Sequence, residues 1–119
     1  MTEPEGKRRA PRPINELRDV YDFLEDVRLR PSMYAFDSSV MHLHSILFGF
    51  DLALQMHGNA GTPFDDQGAF RDWLRHQING QYGSLIWGYA IELEAKDRGM
   101  PAMDLFFELL DKFRAETAR

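Results

Sequence analysis

Residues 82–99 read YGSLIWGYAIELEAKDRG, and whether this run is helix or strand decides the fold class. Ile86, Tyr89, Ala90 and Leu93 recur at helical spacing and Ser84 is placed to cap such a helix, while Trp87, Tyr89 and Ile91 would also suit a strand. A lone strand has nothing to pair with, and no partner for it stands elsewhere in the chain. The spacing therefore predicts a helix.

Outward from this run the same period recurs. On the C-terminal side, Pro101 suits a first helical turn, and Met103, Phe106, Phe107, Leu110 and Phe113 form a stripe through MDLFFELLDKF. On the N-terminal side, Phe70, Trp73, Leu74 and Ile78 predict a shorter helix stopped by Asn79-Gly80, preceded by the loop-like GNAGTPFDDQG of residues 58–68. Before that loop, Leu43, Ile46, Leu47, Phe50 and Leu54 mark a helix that Asp37, Ser38 or Ser39 can cap and Gly58 can close. Met41, Phe48 and Met56 add apolar surface off its stripe, which predicts a central helix covered on more than one face. The first helix begins near Ile14, carries Leu17, Val20, Tyr21, Leu24 and Val27 on one face, and ends near Arg30, because Pro31 disfavours helix in the residue before it. The expected fold class is all-α: a single compact, bundle-like domain of about five helices over residues 14–119.

Composition narrows the chemistry. A chain of 119 residues has material for one core, and 44% hydrophobic residues with nine phenylalanines are enough to fill it. The absence of cysteine removes disulfides, thiolate nucleophiles and cysteine-ligated metals. No apolar run approaches the ~18 residues of a membrane span, and no apolar region follows the charged N-terminus, so the chain reads as cytoplasmic. Residues 1–13 hold four basic against two acidic side chains, so this tail is about +2 and the body, on a chain of net charge −5, about −7. The tail is expected to be a flexible basic arm. An acidic body repels nucleic acid everywhere except at that arm, and it attracts basic protein partners.

The candidate functional residues cluster around VRLRPSMYAF, residues 27–36. Structurally, Pro31 stops a helix, Met33 and Tyr34 turn inward as anchors, and Arg28 or Arg30 pairs with acids or caps carbonyls. Functionally, Arg30 and Tyr34 are types enriched at binding hot spots, and with Trp87 they could border a cleft. Locally the stretch resembles the VRKRPGMYIG segment of gyrase-type ATPases. The helix that follows offers only Asp51 where those enzymes carry a water-activating glutamate and a magnesium-holding asparagine, and no phosphate-binding lid is present, so nucleotide hydrolysis is not expected. His42 and His44 point about 200° apart on a helix and cannot share a metal. Neither a cofactor nor a metal is implied. Asp22, Glu25 and Asp26 form an acidic cluster on the first helix, joined by Glu92, Glu94 and Asp65-Asp66. Such charges are a solvated face by default, a partner-binding patch next and a catalytic pair last.

Over about residues 20–113, the order FLEDVRLRPSMY, LHSILFGFDLAL, FRDWLRHQI and FFELLDKF resembles a group of small bacterial proteins associated with immunity proteins of polymorphic toxin systems. Ser32 and Ala35-Phe36 stand where that pattern carries glycine. The resemblance implies a non-enzymatic protein-binding module, an immunity-type inhibitor docking an acidic surface on a basic toxin. The tentative contact set is Asp22, Glu25, Asp26, Arg30, Tyr34 and Trp87. The alternatives are a small enzyme or ligand-binding domain at a cleft near Arg30, Tyr34 and Trp87, and a structural, homo-oligomeric subunit of a larger assembly driven by exposed apolar surface such as Phe36, Phe48 or Trp87.

Overall fold

A computed structural model describes residues 10–65, 68–78 and 86–117. Among them are six α-helices and no strand: α1 (Val20–Leu29), α2 (Pro31–Tyr34), α3 (Val40–Met56), α4 (Ala69–Gln77), α5 (Trp87–Arg98) and α6 (Ala102–Thr117). Short 3-10 turns at Ile14–Glu16 and Phe36–Ser38 complete the regular structure. The deciding segment is helical over Trp87–Arg98, and the domain is all-α. Most of the expected tail (residues 1–9), the Asn79-Gly80 stop and the Ser84 cap lie outside the described residues.

The central helix is α5, which packs on both α3 and α6. Its buried residues are Trp87, Gly88, Ala90, Ile91 and Ala95, whereas Ile86 and Tyr89 are exposed. The inward face is thus rotated from the expected one. Apolar residues surround α5, so periodicity alone cannot pick a face. Close approach picks it. A Cβ on Gly88 would lie 2.7 Å from His44 Cβ, and the bare backbone N–H there donates to His44 Nδ1 at 3.2 Å. Trp87 stacks on Phe106 at 5.6 Å, meets Phe70 edge-on at 5.3 Å and donates its indole N–H to the Phe64 carbonyl at 2.9 Å. It is the hub of an aromatic core that also contains Phe113.

Helix α1 starts later than its apolar stripe suggests. Asp19 caps it by accepting from the Asp22 N–H at 2.9 Å, and the Asp22 carboxylate reaches back to the Arg18 N–H at 2.9 Å. This reciprocal pair closes the first turn at Val20 and leaves Leu17 extended. Pro31 ends α1 and opens α2 as its first residue, so the register restarts. As a result Ala35 is fully buried and Met33 is 64% exposed, so the methionine is not the inward anchor that its place beside Tyr34 predicts. Tyr34 does contact the core edge, meeting Phe23 edge-on at 5.3 Å. The positive-φ residues of this turn are Asp37 and Ser38.

Ser39 caps α3 by accepting from the His42 N–H, and Glu92 on α5 accepts from the Val40 and Met41 N–H groups at 2.9 and 3.3 Å. Gly58, at φ 80°, turns the chain out of α3. The following loop is tied back by Asp51, buried in α3, whose carboxylate accepts from the Thr62 amide and, at 3.0 Å, from the Thr62 hydroxyl. That tie delivers Phe64 into the core.

Candidate protein-binding face

Of the acidic residues singled out by sequence, Asp22, Glu25, Glu92 and Glu94 are engaged within the fold, and Asp66 lies outside the described residues. Asp22 serves the start of α1 and ion-pairs with Arg12 at 3.4 Å, which draws the end of the N-terminal arm onto α1. Glu25 lies 3.7 Å from Arg28 and 3.8 Å from Arg114. Asp26 is buried, at 1% exposed. Glu92 caps α3, and Glu94 pairs with Arg98 at 2.8 Å. Glu25 and Glu92 reach from one helix to another, whereas Glu94 pairs within α5.

The basic residues nearby act in the same way. Arg28 donates to the Phe107 carbonyl at 3.1 Å and to Asp111 at 2.8 Å, with its guanidinium over the Phe107 ring. Arg114 lies 4.1 Å from the centre of the Tyr21 ring. Burial raises the Tyr21 hydroxyl above its usual pKa, with Arg114 opposing the shift and Asp19 adding to it.

Arg30, Tyr34 and Trp87 lie at three different depths. Arg30 is exposed, Tyr34 is half-buried against Phe23, and Trp87 is 1% exposed inside the core. A buried tryptophan whose N–H is already bonded offers nothing to a partner or substrate. Two of the four histidines are engaged close by: His42 Nδ1 accepts from the Phe36 N–H, and His44 Nδ1 from the Gly88 N–H. No cluster among the described residues has the makings of a metal site. Asp51 is occupied by Thr62.

Among the described residues, an uncovered row of large apolar side chains stands on α3. Val40, Leu43, His44, Leu47 and Asp51 turn inward, and Asp51 carries the helix's one formal charge. The outward half therefore has no lysine, arginine, aspartate or glutamate. On one flank Phe48, Leu52 and Met56, spaced i, i+4, i+8, stand 54%, 50% and 76% exposed. On the other flank are two apolar hollows that meet at Phe50. One, of about 420 Å3, runs from Ile14 and Leu17 across Phe23 to Ile46, with Arg18 and Asp19 at its rim. The other, of about 310 Å3, is bounded by Phe50, Ala53, Leu54 and His57. Of this row the sequence singles out only Phe48 as exposed apolar surface, because an all-round apolar helix is expected to be covered by the rest of the fold. The signal for the face was a 17-residue helix with a single charge.

No family model, no curated protein and no solved structure matches this chain. The described helices include none long and apolar enough to cross a membrane.

Proposed function

We propose that the protein is a non-enzymatic protein-binding module whose contact surface is the outward face of α3. The observation that carries this reading is an exposed row of Phe48, Leu52 and Met56 on a helix face without charge. Soluble chains keep such contiguous apolar surface small unless something covers it, and large apolar side chains supply most of the affinity at protein interfaces. Inhibition of a toxin, which the sequence resemblance implies, is one task such a face can serve. A version that docks through acid would draw on Asp22 and Glu25, whose charges Arg12, Arg28 and Arg114 already meet.

A photo-reactive amino acid placed at Leu52 tests the reading in the living host. Cross-links from position 52 to protein, absent when the same group replaces exposed Asp104 on α6, are the expected result. No protein adduct at position 52, or equal adducts at both positions, contradicts it.

A further inference from the structure

We infer that the occupant of the α3 face is a second copy of this chain, the two copies pairing α3 against α3 around a two-fold axis. The inference rests on the reading of α3 as the binding face and adds the identity of the partner.

Shape is the first argument. Between the ridge of Phe48, Leu52 and Met56 and the hollows beside Ile46 and Phe50 runs a low saddle of Ser45, Gly49 and Ala53, spaced i, i+4, i+8 and all exposed. A Cβ built on Gly49 meets nothing within 4 Å, so the middle of the helix is open to an approaching backbone. A two-fold axis running alongside α3 exchanges the flanks, setting the ridge of each copy over the hollows of the other. Ridge and hollow on opposite flanks of one helix are what a self-complementary, isologous contact requires.

Charge is the second argument. At net charge −5 two copies repel, and the outward half of α3, which carries no charged side chain, lets them meet without setting like charges opposite each other along the helix. A basic partner would find no acid along the outward half of α3 and would bury its charges unpaired. A lipid surface would find no lysine or arginine in α3 to meet its headgroups.

Size is the third. A stable interface takes roughly a tenth of a small protein's surface from each copy, on the order of 700 Å2 of this chain's 7252 Å2. A 17-residue helix is roughly 25 Å long, and its outward half together with both hollows makes a face of that order.

Sedimentation equilibrium of the full chain, from micromolar to about 1 mM, reads the result, since even a millimolar association registers in that range. The wild type should show twice the 13.8 kDa mass of one chain. Gly49→Lys and Leu52→Asp, both at exposed positions, should each weaken self-association at least tenfold while keeping the helical circular dichroism spectrum. Because the chain has no cysteine, Gly49→Cys supplies an independent reading: mild oxidation should link it into a dimer, and Asp104→Cys should stay monomeric under the same conditions. A wild type that is monomeric throughout the range, or a dimer that both charge substitutions leave intact, overturns the inference. A monomeric wild type that still cross-links from position 52 to a different protein overturns the self-pairing alone and leaves α3 as the binding face.

Discussion

At the scale of single residues, Gly88 is a position where the fold has no room for a side chain. Its missing side chain is what lets α5 lie against His44, and a Cβ would be 2.7 Å from His44 Cβ on a buried, well-packed segment. Gly88→Ala is expected to destabilise by about 1–3 kcal/mol despite alanine's better helix propensity, because the overpacking outweighs the roughly 1 kcal/mol gained in the backbone. A urea midpoint that rises on this substitution would contradict the packing described. Tyr21 gives a pH signature. Its hydroxyl titrates higher in the folded chain than in the unfolded one, so the folded state holds that proton more tightly. The stabilisation of the neutral phenol is complete below pH ~10 and is lost as pH rises beyond it, since the unfolded chain ionises first. Tyr21→Phe should therefore flatten the alkaline loss of thermal stability, and an unchanged alkaline limb would exclude the burial effect.

At the scale of elements, the charged residues explain what could and could not be read from sequence. The existence and order of the long helices were legible because Leu43, Leu47, Phe106, Leu110 and Phe113 repeat at helical spacing and are all buried. Which carboxylates were structural was not legible, because capping and ion pairing depend on neighbours that only the fold supplies. Glu92 is 52 residues from Val40, whose N–H it accepts. Glu92→Ala should uncap α3 and cost about 1–2 kcal/mol, with hydrogen exchange quickening first at Val40 and Met41. Exchange that quickens uniformly, or not at all, would deny Glu92 its capping role. The face of α5 was illegible for a related reason: Ile86, Tyr89 and Leu93 match the helical period as well as Trp87, Ile91 and Ala95 do, and steric fit at Gly88 decided between them. On α3, periodicity placed Phe50 in the stripe without saying how deeply it is covered. It is half-buried and borders both hollows, whereas Phe106 is fully enclosed. Phe106→Ala is expected to cost about 3–5 kcal/mol and Phe50→Ala much less. Equal losses of stability would mean that the hollows are filled in solution.

At the scale of the whole molecule, the organisation is a helical core built around Trp87 and held at its edges by ion pairs, with one long apolar helix left uncovered on its outer half. The seam between α1 and α6 is fastened by Arg28 and Arg114 reaching to Asp111, Phe107, Glu25 and Tyr21. That placement engages Glu25 and Asp111 within the fold, while the outward half of α3 presents apolar side chains and no charged one. Met56 and Met33 offer the most direct measurement of this claim, because both are exposed, at 76% and 64%, and only Met56 lies on the face. Methionine oxidation by a mild oxidant, read by mass spectrometry, should proceed at both residues in dilute purified protein. In the concentrated protein or inside cells, protection confined to Met56, with Met33 still reactive, is the predicted result. Equal oxidation of the two residues under every condition would contradict the assignment of α3 as the contact face.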